Sequence, residues 1–337
     1  MRISLRICVC LFISVISLNG YAQLHVTVNE QKAFGKNIPA GNYSGITRIK
    51  DNLYALVSDK SDRDGYFIFK IDVDSINGDI LNIENKGFIA SNVPNRDAEG
   101  IAYIPKRKTV LIVGESDDRI MEYDSVGTFT GRELSLEAAS KNYGYESLSY
   151  NENTNLLWTC TENMYSNADE MLATDSAAVV TLQAYNTDLR LDSKYLYRLD
   201  RPLADNKGKY YAHGVSELLA LDGGSLIVLE REFRVPKNIL GSYVVCKLYR
   251  VFPQKSLLKK QQNTISLEVL PKDMLCEWTT RLTILNHSLA NYEGMCLGPK
   301  LSDGSQVIIM VSDSQNREGG ILRDWFRTVV IKSNDIE

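Results

Sequence analysis

Apolar residues in this chain gather into short runs that end in charge. Leu226-Ile227-Val228-Leu229 leads into Glu230-Arg231-Glu232, and a turn carrying an acid, Gly214-Val215-Ser216-Glu217-Leu218, comes before it. The same phrase recurs. Asp97-Ala98-Glu99-Gly100-Ile101 precedes Val110-Leu111-Ile112-Val113-Gly114-Glu115, and Tyr145-Glu146-Ser147-Leu148 precedes Leu156-Leu157-Trp158-Thr159-Cys160-Thr161-Glu162. Tyr292-Glu293-Gly294-Met295 precedes Val307-Ile308-Ile309-Met310-Val311-Ser312-Asp313. A copy without the first acid, Tyr43-Ser44-Gly45-Ile46, precedes Leu53-Tyr54-Ala55-Leu56-Val57-Ser58-Asp59. From Glu99 to Glu115 and from Glu146 to Glu162 the step is 16 residues in both cases. Each apolar run is followed by a more amphipathic one, such as Tyr66-Phe67-Ile68-Phe69-Lys70-Ile71-Asp72. Runs of β-branched and aromatic residues separated by Gly, Asn and Asp turns predict antiparallel hairpins. Helical periodicity is confined to Ser135–Ser140 and Met274–Leu289.

A three- or four-stranded unit repeated at such intervals predicts an all-β fold, a β-propeller with short helical insertions. Five copies of the phrase are visible. A sixth blade is expected where Arg327-Thr328-Val329-Val330-Ile331-Lys332 joins the N-terminal strand. In a propeller the innermost strands line the axis, so a repeated residue becomes a ring.

The first 22 residues read as an export signal: Arg2 and Arg6, an apolar stretch from Ile7 to Leu18, then Gly20-Tyr21-Ala22 as small-x-small. The domain is then 23–337 and the protein is exported to the periplasm, cell surface or medium. The apolar stretch is too short to span a bilayer, and no later segment is apolar enough. The chain has 337 residues and a net charge of −4, with no basic stripe, so nucleic acid is not expected as a partner. The four cysteines beyond the signal, Cys160, Cys246, Cys276 and Cys296, contain no CxxC pair. They stand equally as free thiols or as holding one bridge, with Cys276–Cys296 the favoured pair.

The candidate chemistry lies in two acid sets. The first is Glu99, Glu146, Glu217 and Glu293, and the second is Asp59, Glu115, Glu162, Glu230 and Asp313, with Asp117 and Glu232 nearby. Carboxylates facing one axis repel one another unless a cation sits among them. Ca²⁺ held by Glu99, Glu146, Glu217, Glu293 and Asp313 satisfies that, since hard cations take oxygen ligands. Arg96, Arg119, Arg231 and Arg317 are the alternative neutralisers. Asp72–Asp79 resembles a calcium loop, but its glycine is one place late and an Asn-Gly turn explains it better. Asp62-Arg63-Asp64-Gly65 also reads as a turn. Neither a GxSxG elbow nor HExxH nor a P-loop occurs. Of His25, His213 and His287, His213 lies nearest a candidate turn and reads best as a surface histidine.

At Asp97-x-Glu99-Gly100-Ile101, Asn142–Leu148, Gly214–Leu218 with Leu229–Glu232, and Asn291–Met295 with Val311–Asn316, the chain resembles the phytase-like family labelled for esterase-like activity of phytase. The resemblance implies an exported propeller with acids around its axis and, more loosely, ester or phosphoester chemistry. Tyr145 and Ser147 stand where the family tends to have Phe and Gly, and Ser312-Asp313-Ser314 where a denser acidic run is usual. The expected function is metal-assisted hydrolysis of a small phosphate or carboxyl ester by a monomer, with Glu230 or Glu162 as general base and Arg231 steadying negative charge. The alternative is a non-catalytic propeller that binds a small ligand, a glycan or a protein through Tyr43, Tyr103, Tyr143, Tyr145 and Tyr292.

Overall fold

Gly, Asn and Asp turns fold each apolar run back on the last. In the computed structural model, which describes residues 25–139, 143–173, 177–253 and 269–332, the result is five antiparallel sheets. Two short strands come first, β1 (Val26–Val28) and β2 (Lys32–Ala33). The first blade is β3 (Tyr43–Lys50), β4 (Leu53–Ser58), β5 (Arg63–Val73) and β6 (Ile80–Pro94). The second is β7 (Ala98–Ile104), β8 (Thr109–Gly114), β9 (Arg119–Tyr123) and β10 (Phe129–Ser135). The third is β11 (Ser149–Asn151), β12 (Leu156–Thr159), β13 (Val179–Asn186) and β14 (Leu191–Arg198), with helix α1 (Ala168–Ala173) between β12 and β13. The fourth is β15 (Tyr210–Ala220), β16 (Leu226–Val235), β17 (Ser242–Val251) and β18 (Lys272–Leu282). The fifth is β19 (Asn291–Lys300), β20 (Gln306–Asp313) and β21 (Trp325–Ile331), with β1 as its fourth strand.

The innermost strands close a circle. β3 touches β7 and β19, β11 touches β7 and β15, and β15 touches β19. One apolar cluster fills each of the five blade interfaces; Tyr43, Tyr54 and Phe69 of the first blade, for example, meet Val307, Ile309 and Phe326 of the fifth. Stacking covers both faces of each blade, which is why β4, β8 and β20 read as unbroken apolar runs rather than alternating ones.

The propeller therefore has five blades, not six. The C-terminal run does pair with the N-terminal strand, Val26 opposite Ile331 and Val28 opposite Val329, but the pair completes the fifth blade. The long steps between acid turns hold α1 and the segment 254–268, which lies outside the described residues, as do residues 1–24 with the expected export signal. Met274–Leu289 is not helical. Its first part is β18, held opposite β17 with Trp278 facing Cys246, so cross-strand packing overrides the local pattern. Ser135 ends β10, residues 136–139 are not helical, and Ser140 is outside the described residues. The four cysteines are free thiols: Cys276 lies on the outermost strand of the fourth blade, Cys296 on the innermost strand of the fifth.

The Asn-Gly turn holds. Asp74 Oδ1 accepts from Ile76 N at 2.8 Å and Asn77 N at 3.0 Å, and Gly78 has φ 78°. Arg63-Asp64-Gly65, by contrast, opens β5, and Asp64 is fully buried against Arg96.

Candidate functional site

Four of the five inner strands carry an irregularity of register near the axis, and in the third blade the offset falls just before β11, between the pairs Tyr145–Thr161 and Ser149–Trp158. Ala98 pairs with Gly114 and Gly100 with Val113, so Glu99 is the extra residue; Glu293 is skipped likewise between Tyr292 and Gly294. In the first blade the shift falls between Tyr43 and Ile46, and in the fourth between Val215 and Glu217. Such bulges re-aim a side chain. The registers place Ser44, Glu99, Glu146, Ser216 and Glu293 at one equivalent position around the axis. Carried one residue beyond the pair Ala98–Gly114 and its counterparts, they also align Asp59, Glu115, Glu162, Arg231 and Asp313.

Two sequence expectations change here. Glu217 lies one place further along, where the other blades have Gly45, Gly100, Ser147 and Gly294. Glycine suits that place because inner strands nearly touch: a Cβ on Gly100 would lie 2.6 Å from Leu148 N. Glu217 is fully buried, its Oε1 accepting from Leu148 N at 3.2 Å and Leu218 N at 2.9 Å while Oε2 has no partner. Burial raises its pKa well above the usual range, against those backbone donors. Arg231, in turn, occupies the place of a fifth acid in the outer ring.

The structure thus gathers Glu99, Glu146 and Glu293 with Asp59, Glu115, Glu162 and Asp313. Arg231 binds Glu162 through Nη2 and reaches Glu293 Oε1 at 2.6 Å and Asn291 Oδ1 at 2.9 Å through Nη1. Glu115 accepts from Gly144 N at 3.0 Å, and Asp313 from Gln315 N at 2.7 Å. Glu99 is 6% exposed, and ligand atoms of Asp59, Asp97 and Glu99 lie within 4.8 Å of one another. Lys60 Nζ bridges Asp59 at 3.0 Å and Asp97 at 2.9 Å, yet Asp59 Oδ1 stays buried without a partner. An all-oxygen donor set with an orphaned buried carboxylate oxygen fits a hard divalent cation. Asp97 was not singled out in the sequence, because it lies off the repeated position.

Burial pushes the Glu99, Glu146 and Glu293 carboxyls well above their usual pKa. Glu146 and Glu293 add repulsion to Glu99, Glu162 and Glu115 to Glu146, and Asp313 to Glu293. Burial also raises Asp59 and Glu115, and holds Asp313 at about 6.

Other candidates sit apart. Glu230 is buried between the third and fourth blades, taking Tyr197 Oη and Lys272 Nζ, both at 2.5 Å, and Asp200 N at 3.0 Å. Glu232 caps Leu203 N and Ala204 N. Arg96 is committed to Asp64 and Asp117, Arg119 to Asp117 and Glu133, and Arg317 to Asp324, so Arg231 alone of the four reaches the ring. His213 is buried, not on the surface. Its Nδ1 lacks a partner, and burial lowers its pKa to about 4. Tyr43, Tyr143, Tyr145 and Tyr292 are buried and pack the core, so they form no recognition face.

A family model described as "Phytase-like: Esterase-like activity of phytase" matches residues 38–315. No curated protein sequence matches the chain. Among solved structures, the chain is similar to an endo-arabinase from Bacteroides thetaiotaomicron (11% identity, 88% of this chain and 96% of that one, TM-score 0.45). It is also similar to a luciferin-regenerating enzyme (9%, 90% and 96%, 0.42) and to streptogramin B lyase (13%, 92% and 98%, 0.36).

Proposed function

The chain belongs to the phytase-like family, and from that premise we propose that the acid-ringed end of its axis is a cation-assisted esterase site for a small phosphate or carboxyl ester. One observation carries the reading: seven carboxylates on four blades surround the axis with one arginine, from the remaining blade, paired to two of them, and those with resolved shifts are raised in pKa. Such an excess of buried negative charge calls for a cation. Asp59, Asp97 and Glu99 would hold it, with Lys60, whose side chain is 55% exposed, free to swing away. A bound Ca²⁺ would polarise the ester or phosphoryl oxygen and acidify a water.

The chain's own residues supply the proton transfers. Glu146 has no hydrogen bond or ion pair among the described residues. Burial and the Glu162 and Glu115 carboxylates raise its pKa well above the usual range, which suits donation to a leaving oxygen. Glu162, oriented by Arg231, takes a proton from the attacking water. Arg231 is spent on Glu162 and Glu293, so its part is to hold both in place. Export after removal of residues 1–22 belongs to the same reading.

The test is hydrolysis of a panel of phosphate monoesters and carboxyl esters with Ca²⁺ and with chelator. Wild type is expected to turn over at least one class only with Ca²⁺. Glu146→Gln should lose about 10²–10⁴-fold in rate while keeping the calcium-dependent rise in melting temperature. Hydrolysis indifferent to chelator would sink the cation-assisted mechanism, and no hydrolysis at all would sink the esterase reading.

A further inference from the structure

The fourth blade is taller than its neighbours. β16 runs four residues past Arg231 to Val235, roughly 13 Å above the ring at about 3.3 Å per residue, whereas β8 stops at Gly114, before Glu115. Two turns cap this extension, and Gly241 N donating to Leu282 O at 2.8 Å brings them side by side. Their tips are aliphatic: Ile239 is 40% exposed, Leu240 44%, Ile284 78% and Leu285 96%. Turn apices ordinarily carry Gly, Asn, Asp, Pro or Ser. Ile239 moreover holds φ 56°, a conformation rare for a β-branched residue. Strain that displays an apolar side chain to water points to a use for it.

The charge around the tips is predominantly positive, although Lys207 is paired with Asp169 of the neighbouring helix at 2.5 Å. The three segments that form this end, 201–211, 233–243 and 279–288, contain Arg201, Lys207, Lys209, Arg234, Lys237 and Arg281 against one acid, Asp205, in a chain of net charge −4. Protruding aliphatic tips set in a collar of cations match an anionic lipid surface: the tips enter the acyl boundary and the collar meets the headgroups. A protein partner is less well matched, since protein hot spots favour aromatic anchors and the tips have none.

We propose that the raised end of the fourth blade docks the protein on an anionic bilayer, with Ile239, Leu240, Ile284 and Leu285 inserted and the acidic ring held beside the membrane surface. The experiment is cosedimentation of the full chain with phosphatidylglycerol vesicles and with phosphatidylcholine vesicles, alongside light scattering without lipid. Wild type should bind phosphatidylglycerol vesicles, and bind phosphatidylcholine at least about tenfold more weakly. The pair Leu240→Ser with Leu285→Ser, and separately Lys237→Glu with Arg281→Glu, should each weaken binding about tenfold or more with melting temperature unchanged, because all four side chains are exposed. Failure of wild type to bind either vesicle overturns the proposal, as does a serine variant that binds as tightly as wild type. A self-associated wild type that the serine pair dissolves, without vesicle binding, makes the tips a protein interface and overturns it too.

Discussion

Arg231 is nearly buried and answers two carboxylates, Glu162 and Glu293, on two neighbouring blades. Removing one partner of a buried ion pair costs about 3–5 kcal/mol, because the other charge is left unpaired in a place water barely reaches. Arg231→Met is therefore expected to lower stability by about that much in chelator, and Ca²⁺ to recover more melting temperature for it than for wild type. Glu217→Gln is expected to behave in the opposite way. Its carboxyl has no cationic partner and burial raises its pKa well above normal, so an amide of the same shape keeps the backbone contacts without a buried charge. Chemical denaturation should show a change on the order of 1 kcal/mol or less, and the calcium response should persist. The sequence made the recurrence of acids legible but not their phase. Ser216-Glu217 looks like another acid turn, and only the register separates serine in the ring from glutamate below it. The same limit hid Arg231, which reads as a neighbour of Glu230 until pairing puts it in line with Asp59, Glu115, Glu162 and Asp313.

At the scale of strands, the bulges do most to make the site, since each turns its extra residue towards the axis. The closing pair matters most for the ring. Asn29 N donates to Thr328 O and Lys332 N to His25 O, so alternation along the antiparallel ladder gives Thr27 N to Val330. Thr27→Pro removes that donor from the strand that seals the fifth blade. A drop of several degrees in melting temperature is expected, together with faster proteolysis near the N-terminus; an unchanged melt would mean the seal contributes little. The apolar runs of β4, β8, β16 and β20 were plain in the sequence, because strands buried on both faces leave little room for polar residues. β18 was not, since its strand state depends on β17 beside it. The six residues of α1 were missed as well: too short to show a period, they rest on Met171 packing with Tyr143 and Tyr211.

For the whole molecule, the ring sets the response to pH. Burial pushes the Asp313 carboxyl up to about 6, above the ordinary 3.8, and burial with neighbouring carboxylates raises Glu99, Glu146 and Glu293 well above their ordinary range. A raised carboxyl gives stability that is whole below the unfolded value and is lost as pH climbs through the folded one. In chelator the melting temperature should therefore fall as pH rises from about 4 through 6, by at least a few degrees, since a tenfold change in acidity is about 1.4 kcal/mol. Saturating Ca²⁺ should flatten that fall. A profile that is level in chelator would remove the electrostatic strain on which the cation argument depends. Blade number escaped the sequence reading for a related reason of scale. The last repeat borrows its fourth strand from the other end of the chain, so counting phrases and counting sheets give different answers.

That borrowed strand also orders events in time. While the chain is being made, its N-terminal strand has nothing to pair with, and the first four blades can assemble only as an open arc with apolar flanks on the first and last of them. The circle shuts when β21, ending at Ile331, arrives between β20 and the waiting β1. Folding to a sealed state is thus deferred until the chain has been made through β21. A chain arrested anywhere before Trp325 would stay an unlatched, protease-sensitive crescent, however well its earlier blades had formed.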